Sequence, residues 1–126
     1  TGAVAGAGVA VTALAYRGVP YRNGGTDPEH GFDCSGLVWF VFAQHGIPVP
    51  RTVAGQYRAG RDVEADELRP GDLVFFNARR GTPTHVGIAV GPGQFVHAPS
   101  SRGDVRVERL GEGYWAGRLS GVRRIE

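Results

Sequence analysis

The stretch F-D-C-S-G-L-V-W-F-V-F-A-Q-H-G (32–46) reads as one helix with its start and stop written out. Asp33 is a good N-cap, and Gly46 followed by Pro48 and Pro50 is a C-terminal stop, so the spacing predicts a helix from Cys34 to His45. Its run from Leu37 to Phe42 is apolar on all sides, which predicts a central, nearly buried helix with Trp39 in the core. The cap places Cys34 in the first turn, where unpaired backbone amides and the helix dipole favour a thiolate. Such settings lower a cysteine pKa from about 8.5 toward roughly 3.5–7.5. A free cysteine is either a small buried hydrophobe or a nucleophile. Its company here, Asp33, Ser35 and Gly36 at a helix start, argues against the buried hydrophobe but by itself leaves both readings open.

Outward from this helix, the pattern is helices first and strands second. Residues 3–16 predict a first helix stopped at Gly18 and Pro20, residues 21–33 a loop rich in Gly, Asn, Asp and Pro, and residues 52–59 a short third helix. From Pro70 onward the periodicity changes to strands over 73–76, 85–90, 94–98, 105–108 and 121–125. Strands that follow one another through tight turns imply an antiparallel sheet, here of about five strands, and the whole an α+β fold. At 126 residues, 41% hydrophobic and 21% charged, the chain is of single-domain size (1–126) and of ordinary globular composition.

A single cysteine excludes an internal disulfide framework and any multi-thiolate zinc site. All 14 basic residues are arginine, the net charge is +2, and the arginines are scattered rather than gathered in a stripe with aromatics. That argues against nucleic acid and for a mildly basic solvated surface. The uncharged segment before Arg17 lacks the basic n-region of a signal peptide and is too short and glycine-rich for a membrane span. It reads as a helix packed on the domain, after an exported leader or linker.

A nucleophilic cysteine needs a base, usually a histidine distant in sequence. His30 lies in the polar loop and His45 at the helix end, positions that suit surface and capping roles. His85 and His97 sit in T-H-V-G-I-A-V-G-P-G-Q-F-V-H-A-P (84–99), which reads as a hairpin. A three-residue loop at 91–93 sets Val90 opposite Gln94 and Gly87 opposite His97, so His85 and His97 are diagonal neighbours on one face. Gly87 and Ala89 on that face leave room for the Cys34 helix to approach. The opposite face, with Val86, Ile88, Val90, Val96 and Ala98, is a core surface. A metal held by the two histidines is the competing reading, but a third ligand and an H-E-x-x-H spacing are missing, so no metal is expected.

Six segments, G-V-P-Y-R-N-G-G (18–25), F-D-C-S-G-L-V (32–38), P-R-T-V-A-G-Q (50–56), P-G-D-L-V-F-F (70–76), H-V-G-I-A-V (85–90) and F-V-H-A-P (95–99), together resemble the NlpC/p60 cysteine peptidases, in that family's order. The later G-Y-W-A-G-R (113–118) and V-R-R-I (122–125) resemble more narrowly the Spr-like murein endopeptidases. The resemblance implies a compact papain-like fold and hydrolysis of peptidoglycan without a cofactor. By position, Cys34 matches the nucleophile, His85 the general base and acid, and His97 the residue that orients His85. Tyr21 matches a tyrosine that lies by the nucleophile and supports the oxyanion or substrate, and Asp33 and Ser35 match flanking residues that help bind substrate. An Asp33 that serves only as the helix cap is an equal alternative, and Arg51 and Gln56 read as structural. Asn23 and Val53 depart from the usual aromatic and serine at their places.

Two bonds are open on this reading: γ-D-glutamyl–diaminopimelate, which most of the resemblance implies, and the D-alanyl–diaminopimelate cross-link, which the narrower one favours. The resemblance also implies stem peptides as partners, a monomer, and a periplasmic or extracellular site of action. The rival readings are a Cys-His amidase or acyltransferase on another substrate, and a non-catalytic wall-binding module. Trp115 and Tyr114 are expected to pack the C-terminal segment.

Overall fold

The computed structural model describes residues 2–100 and 103–126. Helix α1 (Gly2–Leu14) leads through the short ribbon β1 (Thr26–Asp27) and β2 (Gly31–Phe32) to α2 (Cys34–Gln44) and α3 (Val53–Arg58). The strands β3 (Arg61–Asp62), β4 (Leu73–Phe76), β5 (His85–Gly91), β6 (Gln94–His97), β7 (Arg106–Arg109) and β8 (Leu119–Arg124) follow. They form one six-stranded antiparallel sheet in the order β3-β8-β4-β5-β6-β7. The α+β class and the helix starting at Cys34 agree with the sequence reading. The additional strand is β3, an exposed two-residue edge on β8 whose Arg-Asp pair has no apolar alternation to reveal it. The expected loop at 21–33 contains the β1–β2 ribbon.

Both faces of the sheet are covered. On one, α1 and α2 bury Val9, Ala13, Leu37, Val38, Val41 and Phe42 against Phe75, Val86, Ile88 and Val96. On the other, Val74, Phe76, Ala89, Phe95 and Val122 pack under Trp115. Helix α2 therefore lies on the Val86–Ile88 face and not, as expected, on the face bearing Gly87 and Ala89. The small Gly87 serves the sheet instead: a Cβ there would stand 2.8 Å from the Phe95 ring and 3.1 Å from the His97 Cβ. Nor is α2 buried all round. Trp39 is 38% exposed on its outward side, because a helix laid on one sheet face needs only one covered stripe.

The β5–β6 hairpin keeps the expected pairing near the histidines, with Ile88 opposite Val96 and Ala89 opposite Phe95. Toward the turn a bulge shifts the register, so Gly91, not Val90, meets Gln94. Gly93 takes the left-handed conformation (φ 67°) that closes this tighter turn. At the far side of the sheet a buried ion pair ties β8 to the turn before β4. Arg124 donates Nε and Nη2 to the two Asp72 carboxylate oxygens at 2.8 and 2.9 Å. No helix among the described residues is long and apolar enough to cross a membrane.

Candidate active site

The start of α2 is fixed by its cap. Asp33 accepts the Gly36 amide on Oδ1 at 2.7 Å and the Gly24 amide on Oδ2 at 3.0 Å, so one carboxylate caps the helix and anchors the preceding loop. A Cβ at Gly36 would run into the Gly25 carbonyl oxygen, which is why this turn tolerates only glycine. Arg51 donates Nη2 to Asp33 Oδ2 at 2.9 Å and Nη1 to Ser35 Oγ at 2.8 Å. Gln56, fully buried, donates Nε2 to the Ser35 and Pro50 carbonyls at 3.1 and 2.8 Å. Asp33 and Ser35 thus spend their polar atoms inside the chain, and Arg51 and Gln56 order the helix start as expected.

Cys34 is a half-buried free thiol. It lines a groove of about 270 Å³ together with Tyr21, Thr84, His85, Tyr114 and Trp115. Tyr21 reaches it from the loop and His85 from the head of β5, beside the Val86 backbone amide. Burial pushes the thiol above its ordinary pKa and the Asp33 charge adds to that, while the amides of Val86, Ser35 and Cys34 pull the other way. The helix-start amides expected to favour a thiolate are therefore present but outweighed by desolvation. The Tyr21 hydroxyl is likewise pushed up, by burial first and then by Cys34 and Asp33, so it stays protonated.

Behind Cys34 runs a chain of three side chains. His85 Nε2 lies 2.7 Å from His97 Nδ1, and His97 Nε2 lies 2.7 Å from Glu108 Oε2. A carboxylate can only accept, so His97 Nε2–H donates to Glu108 and its Nδ1 is left as the acceptor. His85 Nε2–H then donates to His97, and His85 Nδ1 is the ring's remaining acceptor. Burial, with His97 second, lowers the His85 pKa to about 3, and burial lowers His97 against the opposing pull of Glu108. Both rings are neutral at ordinary pH, which is what that donor chain requires. Trp115 stacks on His85 with centroids 4.9 Å apart and planes 20° apart, and meets His97 edge-on at 5.0 Å.

Tyr21, Cys34 and His85 thus share one groove, with His97 directly behind His85 and Asp33 and Ser35 turned toward Arg51. His30 pairs with Asp27 at the surface, and His45 closes α2 and meets Thr12 at 2.8 Å. Sequence reasoning missed Glu108, and it gave Trp115 to packing alone.

A family model described as the NlpC/P60 family matches residues 18–124, the segment that carries this whole constellation. The chain belongs to the NlpC/P60 family. Among its curated relatives, murein DD-endopeptidase MepH of Escherichia coli is 43% identical over 112 residues, covering 86% of this chain and 41% of that protein. Gamma-DL-glutamyl hydrolase of Bacillus subtilis is 42% identical over 113 residues, covering 88% of this chain and 27% of the relative. The crystal structure of the NlpC/p60 domain of peptidoglycan hydrolase SagA superposes with a TM-score of 0.83 at 34% identity, covering 94% of this chain and 97% of that one. This NlpC/P60 chain spans well under half the length of the two curated relatives, so it corresponds to one part of them.

Proposed function

We propose that this NlpC/P60 domain is a peptidoglycan endopeptidase that cleaves stem-peptide or cross-link amide bonds through a thioester at Cys34, in the cell envelope. The observation that carries the reading is one groove holding the Cys34 thiol and the His85 ring, with His85 backed by His97 and Glu108. The named activities of the relatives, murein DD-endopeptidase and gamma-DL-glutamyl hydrolase, support peptidoglycan as the substrate.

The resting pair is a neutral thiol and a neutral imidazole, so attack and proton transfer go together. Cys34 Sγ adds to the scissile carbonyl carbon while its proton passes to His85 Nδ1. The oxyanion is met by the Cys34 amide and the Tyr21 hydroxyl, which is protonated and therefore able to donate. The C–N bond then breaks as His85 returns the proton to the leaving amine. Water, deprotonated by the same nitrogen, hydrolyses the thioester and restores the thiol. Through both steps His97 holds His85 in the tautomer with Nδ1 free. Asp33 acts by capping and anchoring, since its oxygens are already engaged by backbone amides and Arg51.

The test is mass spectrometry of soluble products released from purified sacculi by the wild type and by Cys34→Ala. Cysteine-dependent fragments are expected, and their masses separate cleavage of the D-alanyl–diaminopimelate cross-link from cleavage after γ-D-glutamate. Release of nothing by folded wild type, or equal release by both, overturns the proposal.

A further inference from the structure

Past Thr84 and Tyr114 the groove continues into a second depression of about 290 Å³, whose walls include Asn77, Arg79 and Arg118. Asn77, Thr84 and Tyr114 belong to both depressions, whereas Cys34 and Tyr21 belong to the first alone. The second depression therefore opens past Thr84, the chain neighbour of His85, and away from the thiol. Its lining and that of the Cys34 groove contain no carboxylate among the described residues, although the chain carries 12 acidic residues.

Arg118 is held in place there. Its guanidinium carbon stands 4.2 Å from the Tyr114 ring centroid, and its Nε donates to the Tyr114 carbonyl oxygen at 2.6 Å. Those contacts fix the fork through its Nε and its flat face and leave the Nη groups available. Among the described residues no carboxylate pairs with Arg118 or Arg79, in contrast to Arg51, Arg123 and Arg124, each of which has its aspartate. A guanidinium pre-oriented beside a groove, without an internal counter-charge, matches the geometry of a carboxylate or phosphate ligand.

The side on which it stands decides which part of the substrate it meets. The base that receives the thiol proton must hand it to the leaving amine, so the amine-side residue of the scissile bond lies by His85. We infer that Arg118, with Arg79 beside it, is a carboxylate subsite for the amine-side residue, selecting a diamino acid with a free carboxylate over lysine or the carboxamide. This rests on the proposed peptidoglycan activity, in which both candidate bonds place diaminopimelate on the leaving side.

Three synthetic stem peptides differing only at that residue test it: diaminopimelate, its carboxamide, and lysine. Wild type is expected to favour the free carboxylate by about tenfold or more in kcat/KM, the range of one charge-assisted hydrogen bond. Arg118→Gln should lose that preference through KM on the first peptide alone, Arg118→Lys should keep part of it, and Arg79→Gln should show a smaller loss in the same direction. Equal cleavage of the three peptides by wild type, or an equal loss on all three in Arg118→Gln, overturns the subsite while leaving the endopeptidase standing. Wild type that cleaves none of them and releases nothing from sacculi overturns the activity and the subsite together.

Discussion

Replacing Glu108 by Gln removes a charge while keeping an acceptor for His97 Nε2–H, so the donor chain to His85 survives and only its electrostatic part is lost. Two hydrogen bonds of 2.7 Å and the width of one imidazole separate the carboxylate from the His85 ring. At about 8 Å and an effective dielectric of about 20, a full charge stabilises an imidazolium by about 2 kcal/mol. The Glu108 side chain is 35% exposed, and solvent screening reduces that to about 1 kcal/mol. In the proposed reaction the positive ring exists only after His85 has taken the thiol proton, so the loss falls on the transition state. It should appear as a decrease of about fivefold in kcat with KM unchanged. Steady-state kinetics on a stem peptide measures this, and Glu108→Ala, which also frees His97 to turn over its tautomer, should lose more. Full kcat in Glu108→Gln would refute the argument, as would a loss matched by an equal fall in folding stability.

Three further outcomes follow from the same geometry. Alkylation of Cys34 by iodoacetamide should rise with pH only above about 9, the ordinary thiol value that burial raises; half-maximal labelling below pH 7 would mean a thiolate–imidazolium pair at rest. His85 and His97 are both lowered on folding from 6.5, so protonation favours the unfolded chain, and stability is full above pH 6.5 and lost as pH falls from there toward about 3. Unfolding free energies from urea titrations at pH 7 and pH 5 should therefore differ by about 2 kcal/mol from His85 alone, with His97 adding in the same direction, and equal values would show that the rings take up protons without cost. Asp72→Asn strips the counter-charge from Arg124, which is 8% exposed, and should cost about 3 kcal/mol in urea unfolding with no direct effect on the groove; a cost below about 1 kcal/mol would place that ion pair in effectively aqueous surroundings.

What the sequence made legible was whatever a local rule controls. The Asp33 cap and Gly46 stop delimit α2, and the alternation on either side of Gly91 delivers the hairpin that carries both histidines. What it concealed depends on which surfaces meet. The apolar run 37–42 cannot say that α2 lies on one sheet face with Trp39 toward solvent, because periodicity gives a helix without its neighbours. Glu108 was hidden for a related reason. It stands opposite Phe95, one diagonal step from His97, but eight residues separate β6 from β7, too many for a turn type to set the register. No local pattern fixes that register. Trp115 lies in a short helical turn far along the chain, where only the three-dimensional fold brings it over His85.

These concealed residues bear on how such a site works. Burial is usually described as sharpening a nucleophile, yet here it opposes both charged forms, raising the thiol and lowering the imidazole. A site in this state gains nothing from a standing thiolate. On the proposed mechanism it depends on His85 being in the right tautomer and at the right angle when the carbonyl arrives. Each neighbour restrains that ring along a different direction: Trp115 fixes its plane, His97 its Nε2, and Gly87 the space that lets Phe95 and His97 close behind it. The two-sided sheet supplies these restraints together, since one face carries the helix that presents Cys34 and the other the aromatic cover that keeps water from the histidines. Desolvation that raises the cost of the ion pair at rest also strengthens every hydrogen bond to the charge that develops during attack. In the proposed reaction the cover over the histidines is therefore as much a part of the chemistry as the thiol.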